Sequence, residues 1–234
     1  MAGSLTASVA GFCASLTEPK SLRTWSLAAK DGIIATAGIL LGFTGAGASD
    51  TTLLMAATAS TVVGMLSAGG AEWSASAAER EAQLSALAEE QADFESQPTV
   101  EYAEIVTYYE GKGLSPDLAI EVASQLIVCA PMNAQLESEH GILKLMSRRE
   151  VYLSGAGSGI AYALGAAIPF AMTFLLPVNI ETWVIVFAVI VSLTLISIAG
   201  ARAGRMNVSH TIRRTLIVGI GTIAISYFVG QIAF

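Results

Sequence analysis

The charges of this chain are missing from five long stretches and crowded into one. Reading from Asp31, uncharged runs occupy Gly32–Ser49, Thr51–Ala71, Val151–Ile180, Thr182–Ala201 and Thr215–Phe234. A helix needs about 20 residues to cross the hydrocarbon core of a bilayer, and each run is of that order. Between the second and third runs lies Glu79–Glu150, with fourteen acids and five bases. That segment carries −9 in a chain of −7 overall, which leaves +2 for the rest. Charged residues are 13% of the chain, against about 25% in soluble domains, and the deficit falls in the runs. The expected fold is an all-α membrane protein with five transmembrane helices and a helical acidic lobe between the second and third. A transmembrane barrel would alternate polar and apolar residues, and these runs do not. Acids gathered in one soluble lobe point to cation handling and away from nucleic acid.

Basic residues near helix ends mark the cytoplasmic side of a membrane. Lys20, Arg23 and Lys30 cluster at the start of the first span, Lys144, Arg148 and Arg149 precede the third, and Arg202, Arg205, Arg213 and Arg214 separate the fourth from the fifth. The connections at Asp50 and Pro177–Glu181, and the C-terminal end, hold no Lys or Arg. This alternation places the N-terminus and the acidic lobe in the cytoplasm and the C-terminus outside. The expected divisions are a soluble arm over 1–21, two spans over 22–78, the lobe over 79–150 and three spans over 151–234. Met1–Lys20 lacks a basic segment followed by an apolar core, so no cleaved signal peptide is expected. Small residues recur at packing spacing in Gly38/Gly42, Gly155/Gly159 and Gly200/Gly204, which suits close approach of helices within a bundle or between copies. Pro169 falls within the third span, and Pro177 marks its outer end.

In the lobe, the residues from Ala71 to Phe94 are good or fair helix formers with no break after the second span. One helix is expected from about Thr52 to Phe94, ended by Ser96–Gln97–Pro98. A second, Val100–Glu110, carries an apolar stripe of Tyr102, Ile105, Val106 and Tyr109 and stops at Gly111–Lys112–Gly113. Ser115–Pro116–Asp117 is a helix start with Ser as N-cap, and that helix runs to about Cys129. After Pro131 a short helix covers Met132–His140.

Glu90 and Asp93 are three residues apart on the first of these helices, and Glu101 and Glu104 on the second. An i,i+3 pair shares one helix face, so two such helices can converge four carboxylates. Such a cluster suits hard or borderline divalent cations; the plainer alternative is a solvated acidic face. Within the membrane, Asp31 sits about two turns into the first span, where a carboxylate marks an ion path or proton relay by default. The alternatives are pairing with Lys30 or capping a helix. Glu72, beside Trp73, lines the same path or marks the water boundary. Met65 shares a helical face with Ala68 and Glu72, as a soft ligand or as packing. His140 neighbours Glu137 and Glu139 and is a candidate to join the lobe's site, and His210 lies among arginines as a solvated loop residue. Cys13 and Cys129 fit no metal, redox or disulfide spacing. No catalytic triad, phosphate loop, zinc motif or dinucleotide fingerprint is present, and no enzyme activity is expected.

Several stretches together resemble the vacuolar iron transporter family in its prokaryotic form. They are Leu22-Arg23 followed by Lys30-Asp31-Gly32-Ile33, the glycines from Gly42 to Gly47, Ser67-Ala68-Gly69-Gly70-Ala71-Glu72-Trp73, and Gly113-Leu114-Ser115-Pro116-Asp117-Leu118-Ala119. The resemblance covers the chain from about Leu22. It implies a homodimeric transporter that moves Fe²⁺, often also Mn²⁺, out of the cytoplasm in exchange for protons, with no prosthetic group. The path would run along the dimer interface, lined by the first two spans, with Asp31 as its carboxylate. Glu90, Asp93, Glu101, Glu104 and Glu139 would be lobe ligands. The plasma membrane is the favoured location and a vacuolar membrane the alternative.

The departures bear on function. Thr24 stands where the family often has Asp, and Ala68 where it has the path methionine; Met65 is one turn earlier. The lobe methionines align near Gln135 and Leu136, with Met132 the nearest Met. Fewer sulfur ligands favour harder ions, which implies a shift from Fe²⁺ toward Mn²⁺. Loss of transport is the other consequence, leaving a membrane metal sensor, buffer or scaffold of the same fold.

Overall fold

The computed structural model describes residues 19–175 and 178–233, which places Cys13, Pro177 and nearly all of the expected N-terminal arm outside the described residues. The described residues form eight helices and no strand. They are α1 (Pro19–Gly45), α2 (Asp50–Ser96), α3 (Pro98–Gly111), α4 (Pro116–Cys129), α5 (Pro131–His140), α6 (Arg148–Leu175), α7 (Val178–Ala203) and α8 (Val208–Ala233). Five of them, α1, α2, α6, α7 and α8, are long and apolar enough to cross a membrane. The chain is an all-helical integral membrane protein. Only helices and closed barrels satisfy their backbone polar groups in lipid, and these runs take the helical solution.

The helices divide into two compact units. The first comprises α1, α2 as far as Trp73, and the chain from Leu153 onward; the second is Ser74–Tyr152. The first unit is organised around α1. Ile33, Ala37 and Leu41 recur every four residues on one face and are buried against Ile185, Val189 and Leu193 of α7 and Ile223 of α8. Glycine sets the helix spacing. A Cβ at Gly32 would overlap the carbonyl oxygen of Tyr162, and one at Gly165 the carbonyl oxygen of Ala29, which locks α1 to α6 backbone to backbone. Gly155 and Gly159 of α6 lie against Gly69, Trp73 and Met65 of α2, and Gly38 and Gly42 of α1 against Ser226 of α8. Gly200 of α7 lies against Ser26 of α1, so each of the three expected small-residue pairs places a glycine against another helix of the same chain. In lipid such contacts hold by close packing rather than by the hydrophobic effect. Helix α2 is the exception: only 11% of its most apolar stretch is buried, and Met55, Val62, Val63 and Leu66 are exposed.

The second unit holds a small core of its own. Ile105, Ala123 and Ala134, one from each of α3, α4 and α5, meet at its centre, and Tyr102, Val106, Tyr109, Leu126 and Ile127 close around them. Ser115 occupies the N-cap position of α4, but its hydroxyl makes no capping hydrogen bond; Pro at the first turn carries the start instead. Ser147 and Glu150 form a reciprocal capping box at the start of α6, with Ser147 N–H donating to Glu150 at 2.6 Å and Glu150 N–H to the Ser147 hydroxyl at 3.2 Å. His210 departs from the loop position expected for it. It lies in the first turn of α8, with its N–H donating to Asn207 Oδ1 at 3.1 Å, because Asn207 supplies the cap. Cys129 is a free, exposed thiol.

Candidate metal sites

The acidic unit brings its carboxylates together through α5. This short helix starts at Pro131 and stops at His140 because Gly141 adopts the left-handed conformation at φ +66°. The Gly141 N–H donates to Glu137 O and the Ile142 N–H to Leu136 O, which satisfies the last carbonyls of the helix. The final turn thus presents Glu139 and His140 side by side. Two triads result: Glu101, Glu104 and Glu139, and Glu90, Glu139 and His140. Within each, one ligand atom per residue lies within 4.8 Å of the others. Donors on opposite sides of one first-row ion, with bonds of about 2.1 Å, are about 4.2 Å apart, so the residues fit such an ion after small adjustment. Both triads share Glu139.

The electrostatics are those of negative charge held in place. The hydrogen bond between Glu104 and Glu139 pushes the Glu104 carboxyl up to about 7, and burial and the charges of Glu139 and Asp93 add to it. Burial raises Glu101, with the charges of Glu104 and Asp93 in support, against a lowering hydrogen bond from Gln135. Gln135 is fully buried and donates its amide to Glu101 Oε2. Burial also raises Glu90, which is only 2% exposed; its hydrogen bond to His140 opposes this. His140 Nε2 lies 2.9 Å from Glu90 Oε1, while Glu90 Oε2 is buried without a hydrogen-bond partner. Like charges crowded in this way favour the protonated form and, equally, a bound cation.

Of the five lobe residues marked by the sequence, Glu101, Glu104 and Glu139 converge, and Glu90 joins Glu139 from the other triad. Asp93 stands near enough for its charge to act on Glu101 and Glu104 but joins neither triad. His140, which the sequence offers as a candidate to join the lobe's site, belongs to the second triad. Glu137, equally acidic and close in sequence, is engaged elsewhere: Lys112 Nζ at 3.1 Å and the Tyr108 hydroxyl at 3.2 Å both donate to it. Met132 lies in the first turn of α5, on the helix that carries Gln135 and Glu139.

In the membrane unit, Asp31 is exposed on the surface of the single chain, whereas Lys30 is 8% exposed. Consecutive helical residues point about 100° apart, yet the charges of these two still act on one another. Asp31 lies well inside α1 and caps no helix. It is an electrostatic neighbour of Tyr162. Met65 packs with Ala35, Ala68 and Ala161 against the cluster of Ala28, Tyr162 and Ala166. Glu72 accepts a 2.6 Å hydrogen bond from the Ser154 hydroxyl, which ties α2 to α6 at that level.

Two comparisons bear on this arrangement. A protein described as "Vacuolar iron transporter" from Acanthamoeba castellanii is 29% identical over 181 residues, covering 77% of this chain and 65% of that protein. The chain thus matches slightly less than two thirds of that relative's length. The profile of the VIT family matches residues 22–231, nearly the whole chain, and with five membrane helices and an acidic helical unit between the second and third, the chain belongs to the VIT family.

Proposed function

We propose that this protein exports a divalent transition metal, Fe²⁺ or Mn²⁺, from the cytoplasm across a membrane in exchange for protons, as a homodimer. It acts as a transporter and not as an enzyme. The observation that carries the reading is the convergence of acids from two helices, α2 and α3, on Glu139 of α5 in a VIT-family chain. The relative named as an iron transporter supports the choice of cargo. In this reading Glu90, Asp93, Glu101, Glu104 and Glu139 collect metal at the cytoplasmic mouth. Asp31, Met65 and Glu72 line the path. The exposed face of α2 and the outward-facing Asp31 meet their counterparts in a second copy, because a carboxylate facing lipid is costly. Protons and metal compete for the carboxylates, and a Glu104 carboxyl poised at about 7 makes that competition effective near neutral pH. The N-terminus and acidic unit are cytoplasmic and the C-terminus is outside, in the plasma membrane by preference and a vacuolar membrane otherwise.

A second reading, a metal sensor, buffer or scaffold that does not transport, is favoured by one observation. Ala68 packs into the cluster around Tyr162 and offers no ligand where the family resemblance places a methionine. Flux in proteoliposomes with a metal indicator and a pH dye inside decides between them. Metal entry coupled to proton exit, lost in Asp31→Asn with folding intact, is expected. Normal flux in Asp31→Asn removes Asp31 from the path, and metal binding without flux of any ion establishes the second reading.

A further inference from the structure

The two triads differ in chemistry. Glu101, Glu104 and Glu139 offer oxygen alone, whereas the other triad adds an imidazole. Glu90 reaches that triad from α2 and is buried to 2% exposure with one oxygen unpartnered. Leaving a buried acceptor unsatisfied costs about 1–3 kcal/mol, more for a charged group, so such an atom calls for a donor or a cation. Glu139 and His140 face it from the exposed end of α5, open to an arriving ion. The left-handed Gly141 ends the helix directly after them and fixes the place from which both side chains start.

We propose that Glu90, Glu139 and His140 hold a separate, mixed nitrogen–oxygen metal position beside the all-oxygen one, with Glu139 shared between the two. This rests on reading the acidic unit as metal-binding and assigns a ligand chemistry to part of it. Imidazole suits first-row transition ions, while Mg²⁺ and Ca²⁺ take oxygen. The mixed position therefore admits ions of the Mn²⁺, Fe²⁺ and Zn²⁺ class and discriminates against Mg²⁺ and Ca²⁺. The all-oxygen position has no such filter. His140 is thereby a specificity-determining ligand.

The test is pulsed electron paramagnetic resonance of Mn²⁺ bound to the full-length, tag-free protein in detergent, with millimolar Mg²⁺ present. The chain contains two histidines, so a nitrogen coupling from an imidazole has two sources, His140 and His210. The expected result is a ¹⁴N coupling that converts to ¹⁵N when histidine alone is labelled, persists in His210→Gln and disappears in His140→Gln with loss of one Mn²⁺ equivalent. The label and His210→Gln settle the matter even where His140→Gln fails to fold. No histidine coupling in the wild type, or its loss in His210→Gln, overturns the proposal. The measurement needs no gradient: a protein that binds Mn²⁺ through His140 but moves no ion leaves this inference standing while the transport reading falls.

Discussion

Replacing Glu104 by Gln should stabilise the metal-free acidic unit at alkaline pH. Its carboxyl is raised from 4.5 to about 7, first by the hydrogen bond with Glu139. The folded unit therefore prefers Glu104 protonated. Below pH 4.5 folded and unfolded forms are both protonated and the preference costs nothing. Between pH 4.5 and 7 the folded form is increasingly penalised, and above 7 the full penalty applies. At 1.36 kcal/mol per pH unit the ceiling is roughly 3.4 kcal/mol. Glu104 is exposed, however, and solvent and salt screen the repulsion, so about 1 kcal/mol is the realistic figure. Hydrogen exchange of the amides of Ile105, Ala123 and Ala134, corrected for intrinsic rates, reads local opening of this core in the intact protein. With chelator present, protection in the wild type should fall from pH 5 to pH 8. In Glu104→Gln it should fall less, leaving the variant about fivefold more protected at pH 8. Mn²⁺ at a hundred times its dissociation constant should restore about 2.7 kcal/mol to the wild type. Equal or lower protection of the variant at pH 8 would refute the account of Glu104 and Glu139 as a strained pair.

Three further outcomes are expected. Ile105→Ala removes a fully buried side chain from the centre of the small core and should lower the stability of the acidic unit by roughly 2–5 kcal/mol, read by the same exchange experiment. Gly155→Val should separate α2 from α6 and lower the melting temperature in detergent, because a Cβ there meets Trp73 Cβ at 2.6 Å and the Gly69 carbonyl at 2.9 Å; Gly70→Ala, with open space around it, should be silent. Met65→Ala should abolish flux in proteoliposomes if the thioether is a path ligand, and unchanged uptake would leave Met65 as packing for the Tyr162 cluster.

The helices of this protein are legible because their signals are local. Uncharged length shows the spans, Ser96–Gln97–Pro98 stops α2 at Ser96 against an expected Phe94, and the stripe Tyr102, Ile105, Val106 and Tyr109 lies in the core around Ile105. The grouping of the acids is not local. Spacing put Glu90 with Asp93, yet Glu90 meets His140, fifty residues on, because the Pro131 start and Gly141 stop of α5 set which side chains arrive. Glu137 and Glu139 are indistinguishable as a sequence pair. One is taken by Lys112 and Tyr108 and the other joins both triads, a division made by the packing of α3 against α5. The same limit applies to the small-residue pairs, whose spacing suits contacts within a chain and between chains equally.

The residue changes in the acidic unit form a consistent chemical set. Gln135 stands near where the family resemblance places a methionine, and its amide nitrogen donates to Glu101. An amide nitrogen of this kind carries hydrogen and no free lone pair for a metal, so it orients Glu101 and favours its ionised form. On the proposed reading, a soft sulfur ligand is thereby exchanged for better-placed oxygen. On the other side of Glu139 the imidazole of His140 would supply a ligand of intermediate softness to the proposed position. If the unit binds metal as proposed, loss of sulfur alone would slide it toward Mg²⁺ and Ca²⁺, which take oxygen ligands. The imidazole counters that slide without restoring a preference for soft ions. On the proposed reading, Gln135 and His140 act together: they would reposition the unit on the softness scale and keep it within the first-row transition metals.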